Sequence, residues 1–72
     1  MTQEKFLTKM QEDILDTEDE ITMETSLTDM EEWDSLALVS FTAMAKMESN
    51  RAVDRESVRA AVTIGDLYAL LQ

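Results

Sequence analysis

The sequence predicts an all-α protein: a small bundle of three main helices plus one short helix, with a long loop between the first and second helices. Three observations carry this. Apolar residues recur at spacings of three and four in several separate stretches, no stretch alternates apolar and polar residues as a half-buried strand does, and residues suited to helix caps stand where those stretches begin. With 72 residues, the chain is read as a single domain spanning 1–72, without internal repeats.

The first helix is expected from about residue 3 to 16, with Thr2 as its N-cap and Phe6, Leu7, Met10, Ile14 and Leu15 on its apolar face. Asp16 to Glu20 is too acidic for any core and opens the long connection that reaches Asp34. Its apolar anchors are Ile21, Met23, Leu27, Met30 and Trp33, with a short helical turn expected near Thr28 to Glu32. From Ser35 to about Glu48, Leu36, Leu38, Val39, Phe41, Ala43, Met44, Ala45 and Met47 are too many for a narrow stripe, so neighbouring elements should surround this helix. Ser49 and Asn50 end it, since asparagine tolerates the left-handed conformation after a last turn. Asp54 caps a short third helix through about Ala61. Thr63, three residues before Asp66, forms a capping-box-like start for a last helix carrying Ile64, Leu67, Tyr68, Leu70 and Leu71.

Absent side chains bound the chemistry. Without histidine or cysteine there is no imidazole base, thiol nucleophile, redox dithiol or zinc site of the usual ligands, so the protein is not expected to be an enzyme. The acidic stretch from Asp16 lacks the central glycine of an EF-hand loop and places Leu27 where its twelfth-position Glu belongs, which argues against calcium. The apolar run Leu36 to Val39 is far short of a membrane span, and the N-terminus lacks the order of a signal peptide, so a soluble cytoplasmic protein is expected. The formal net charge of −10 opposes nucleic-acid and anionic-lipid partners. It is unevenly placed: residues 1–34 hold twelve acids against Lys5 and Lys9, whereas residues 35–72 balance four acids with Lys46, Arg51, Arg55 and Arg59.

The segment Glu32-Trp33-Asp34-Ser35-Leu36, where the long loop meets the central helix, is the candidate functional site. Asp34 suits an N-cap, which places Ser35 in a first turn whose free N–H groups and positive dipole end favour an attached anion. Taken alone, the pair is equally a simple cap. Trp33 either contacts a ligand or partner or anchors the loop to the bundle, and Leu36 is a docking residue, the first core position of its helix, or both.

Asp34-Ser35-Leu36 near mid-chain, preceded by a long loop and followed by an apolar helix, with Thr63-Ile64-Gly65-Asp66-Leu67-Tyr68 opening the last helix, resembles the acyl carrier protein and peptidyl carrier protein family. The resemblance spans the chain in order and includes its length and acidity. It implies that a phosphopantetheinyl transferase moves 4'-phosphopantetheine from coenzyme A onto the hydroxyl of Ser35, with Asp34 and Leu36 flanking the attachment point. It further implies a monomeric carrier that holds an acyl or aminoacyl group as a thioester and delivers it from a loading enzyme to acyl-using enzymes, the prosthetic arm supplying the thiol the chain lacks. Met10, Met30, Met44 and Met47 would then be an adaptable lining for a folded-back acyl chain, or ordinary core.

One departure bears on the pathway. Fatty-acid carriers of this family usually bear several acids along the helix after the serine, whereas here that helix reads Ala37, Ser40, Thr42 and Lys46, with Glu48 only at its end, and Arg51, Arg55 and Arg59 follow. Trp33, Leu36, Ser40, Lys46 and Arg55 are the candidate partner-binding residues of this neutral-to-mixed face, unless the arginines merely pair with Asp54 and Glu56. A specialised free-standing carrier, for a secondary metabolite, a surface or lipid modification or an aminoacyl group, is expected rather than one for housekeeping fatty-acid synthesis. The competing expectation is an unmodified acidic helical module or inhibitor that binds a basic protein surface.

Overall fold

The computed structural model describes residues 1–72 and is all-α, with four α-helices in chain order. These are α1 (Gln3–Lys9), α2 (Ser35–Ser49), α3 (Arg55–Ala60) and α4 (Ile64–Ala69). No helix is long and apolar enough to cross a membrane. The Cα radius of gyration is 10.7 Å, close to the roughly 11 Å of a folded chain of this length.

Thr2 caps α1 as expected, its hydroxyl accepting the Lys5 N–H at 3.2 Å. The helix stops short of residue 16. It widens into a π-helical turn over Met10–Ile14, where Leu15 N–H reaches back five residues to the Met10 carbonyl at 2.8 Å. Asp16 then takes a left-handed conformation, φ 47°, that turns the chain away. The wide turn brings Met10, Ile14 and Leu15 all into the buried core.

The long connection is short of regular structure but firmly attached. Its one helical turn is 3-10, over Leu27–Asp29, rather than the expected stretch near Thr28 to Glu32. Ile21 and Leu27 are buried, and Met23, Met30 and Trp33 pack partly buried against the core. Leu27 N–H donates to the Val62 carbonyl at 2.8 Å, Ile64 N–H to Thr25 at 3.1 Å, and Gly65 N–H to Met23 at 2.7 Å. This last approach explains the single glycine: a Cβ on Gly65 would lie 2.9 Å from the Met23 carbonyl oxygen.

Asp34 caps α2, and Asn50 closes it in the left-handed conformation, φ 52°, with Arg51 N–H returning to the Ala45 carbonyl at 3.2 Å. Ala37, Leu38, Phe41, Met44 and Ala45 face the core. Contrary to expectation, α2 is not surrounded. Leu36 is 77% exposed, Met47 84% and Val39 50%. In a chain this small the first helix with its π turn packs against α2 together with α3, and its opposite side stays in solvent. Leu36 is therefore not a core position.

Helix α3 ends at Ala60, one residue earlier than expected, and Asp54 precedes it without capping a backbone N–H; its carboxylate accepts from Ser57 Oγ at 3.3 Å instead. At α4 the expected box is complete: Thr63 Oγ1 accepts the Asp66 N–H at 3.2 Å while Asp66 Oδ2 accepts the Thr63 N–H at 3.1 Å.

Every buried residue is apolar. Aromatic rings run through this core in edge-to-face contacts: Tyr68 on Phe6 at a centroid separation of 5.1 Å, Phe6 on Phe41 at 6.3 Å and Phe41 on Trp33 at 6.3 Å. The Tyr68 hydroxyl also donates to the Met1 carbonyl at 3.0 Å. Of the four methionines, Met10 and Met44 are buried in the core and Met30 packs partly buried against it, as ordinary core residues do, while Met47 is exposed.

Candidate functional site

The long loop enters the site through Trp33. Its ring is half-buried against Phe41, which fixes the end of the loop on the same helix that carries the next residues. Trp33 N–H donates to the Met30 carbonyl at 3.2 Å, so the approach is a closed turn rather than a free strand of chain.

Asp34 then starts α2. One carboxylate oxygen accepts the Ala37 N–H at 2.9 Å, and its own carbonyl accepts the Leu38 N–H at 3.0 Å. A charged cap at this end also complements the helix dipole. Ser35, the first residue of the helix, is exposed, and neither its N–H nor that of Leu36 has a backbone acceptor. The Ser35 hydroxyl therefore stands at an open helix start within reach of solvent.

Ser35 lines a cleft of about 460 Å³ whose other walls are Trp33, Asp34, Leu38, Val39, Arg55 and Arg59. Leu38, buried on α2, is the most deeply set of these walls, and α2 and α3 pack against each other beside it. Arg55 and Arg59 are one helical turn apart on α3 and both exposed. Neither pairs with Asp54 or Glu56, and no arginine of the chain lies within 4 Å of a carboxylate. Position in sequence gave no sign of this. Arg59 is not among the candidate partner-binding residues read from the sequence, yet it shares the cleft with Arg55.

The other candidate residues divide between two places. Trp33 and Arg55 belong to the cleft, whereas Leu36, Ser40 and Lys46 lie with Val39, Ala43 and Met47 on the exposed side of α2, at spacings of three and four. That face carries no acid before Glu48. A shallower groove of about 330 Å³ adjoins it, lined by Ile14, Ser40, Ala43, Met44 and Met47 with Lys9, Asp13 and Glu48 at its rim.

Glu48 makes the only ion pairs that join distant parts of the chain. Lys9 Nζ lies 3.2 Å and Lys5 Nζ 3.7 Å from its carboxylate, and Lys9 also meets Asp13 at 3.5 Å. The Lys9 hydrogen bond, with the charge of Lys5, holds the Glu48 carboxyl below its usual range, and the same bond holds the Lys9 ammonium above its own. The two N-terminal lysines are thus engaged, and Lys46, Arg51, Arg55 and Arg59 are the cations left unpaired.

No group of three or more acidic side chains is arranged to hold a metal ion. Compared with known proteins, the chain matches no family model, no curated protein and no solved structure.

Proposed function

We propose that the chain is an acyl carrier protein of the phosphopantetheine-dependent kind, with Ser35 as the attachment residue. The observation that carries this reading is the Ser35 hydroxyl itself, exposed at the first turn of α2, beside a capping Asp34, at the edge of a cleft. A serine so placed fits the group chemically. Its oxygen is accessible to a transferase, and the phosphate it would bear lies where the helix N–H groups and two guanidinium groups are uncompensated.

In the loading step the Ser35 oxygen attacks the phosphorus bonded to the pantetheine oxygen of coenzyme A. The new O–P bond forms as the pyrophosphate bridge breaks, 3',5'-ADP leaves with the bonding electron pair, and the hydroxyl proton passes to a base of the transferase. When attached, the arm supplies a thiol for thioester formation, which this cysteine-free chain cannot supply. The chain's own contribution is a fixed attachment point and the surfaces around it.

The exposed side of α2, with Leu36, Ser40 and Lys46, is the docking face for the transferase and for loading and acyl-using enzymes. Being free of acids up to Glu48, it suits partners with neutral or apolar patches better than strongly basic ones, and this favours a dedicated cytoplasmic pathway over housekeeping fatty-acid synthesis.

The deciding experiment is intact-mass spectrometry after incubation with coenzyme A and a broad-specificity phosphopantetheinyl transferase, alongside Ser35→Ala. One phosphopantetheinyl group on the wild type and none on the variant is expected. No addition with several transferases, on protein shown to be helical, would overturn the proposal in favour of an unmodified acidic module.

A further inference from the structure

The chain has sixteen acids and six basic residues, and of the four basic side chains with no carboxylate within 4 Å only Arg55 and Arg59 line a cleft. Lys5 and Lys9 are spent on Glu48 and Asp13. Arg55 and Arg59 are not, although Asp54 and Glu56 are their neighbours in sequence and Asp34 lines the same cleft. Their four-residue spacing on α3 puts both side chains on one side of that helix, and the packing of α3 on α2 turns that side toward Ser35.

We infer that Arg55 and Arg59 form a two-guanidinium seat for the phosphodiester that Ser35 would carry; this rests on the carrier reading. A phosphodiester adds one negative charge at the end of a segment already holding Glu31, Glu32 and Asp34. Without a local counter-charge, modification would sharpen repulsion with these acids. Guanidinium groups match phosphate oxygens with paired N–H donors, which lysine cannot do, and both residues here are arginine. The open N–H groups of Ser35 and Leu36 approach the same phosphate from the helix side. Trp33, Leu38 and Val39 give the rest of the cleft an apolar wall, so the first part of the arm lies along the α2–α3 side. Leu36, Ser40, Ala43, Lys46 and Met47 on the exposed side of α2 are then left clear for partners.

The test compares apo and holo wild-type protein labelled with nitrogen-15, conversion being verified by intact mass. The Nε–Hε resonances of the three arginines are followed, Arg51 serving as the internal control because it lies outside the cleft. On conversion, Arg55 and Arg59 are expected to shift downfield and Arg51 to hold its position. In holo Arg55→Gln and Arg59→Gln, the phosphorus-31 resonance is expected to move toward its value in urea-unfolded holo protein. Complete conversion with Arg55 and Arg59 moving no more than Arg51 would overturn the seat and leave the carrier reading standing. Absence of conversion in the wild type, read from the mass alone, would overturn both.

Discussion

Asp66 and Thr63 cap one another: the threonine hydroxyl takes the aspartate N–H at 3.2 Å, and one aspartate oxygen takes the N–H groups of Thr63 at 3.1 Å and Val62 at 3.0 Å. Those two backbone donors hold the Asp66 carboxyl below the usual carboxylate range. A carboxyl with a lower pKa folded than unfolded adds stability in full above its unfolded value of about 3.9, and that contribution is lost as pH falls through the folded value. Urea unfolding at pH 7 and near pH 3 is expected to show Asp66→Asn losing more stability at the higher pH. An equal loss at both would remove the charge from the argument.

Gly65→Ala sets two effects against each other. Alanine in a helix gains about 0.5–1 kcal/mol over glycine, but its Cβ would sit 2.9 Å from the Met23 carbonyl oxygen, which also accepts the Gly65 N–H. Because the obstacle is backbone held by that bond, the clash wins, with a net loss of about 1–3 kcal/mol expected from overpacking. A raised melting temperature would show that the loop yields freely.

Ser49→Ala should do the reverse. The Ser49 hydroxyl is buried with no protein group in hydrogen-bonding reach, and the residue closes α2 from within the helix. Replacing it removes a desolvated hydroxyl and adds helix propensity, for an expected gain of about 1 kcal/mol. Thermal unfolding with a lower midpoint for the variant would contradict this.

Added salt is expected to raise the melting temperature of the unmodified chain, since residues 1–34 carry a net charge of −10 and only Lys5 and Lys9 lie among them. Screening that relieves about 1 kcal/mol of repulsion appears as a rise of roughly 4–8 °C. A flat series in sodium chloride, matched against a charge-neutral osmolyte, would count against it.

Helix starts and stops were legible where the signal is local. Thr2, Asp34 and Thr63 each satisfy a donor within three residues, and Asn50 needs only its own left-handed conformation, so residue type and position sufficed. What depends on distant partners was not. The π turn at Met10–Ile14 answers to core packing, Gly65 answers to Met23 more than forty residues earlier, and Lys9 meets Glu48 only after α1 and α2 pack. The exposure of Leu36 could not be read, because hydrophobicity alone cannot say which side of a helix a small bundle leaves uncovered. At the candidate site, the position of Ser35 could be read from Asp34; the convergence of Arg55 and Arg59 on it could not, because it requires the α2–α3 packing.

The line of rings from Tyr68 to Trp33 makes the protein its own optical instrument. Its single tryptophan has one part against Phe41 in the core and another on the wall beside Ser35. Emission from that indole is expected to respond both to loosening of the bundle and to whatever enters the cleft, and titrating denaturant before and after incubation with coenzyme A and a transferase would separate the two. No dye or tag has to be attached near the serine to follow its occupancy.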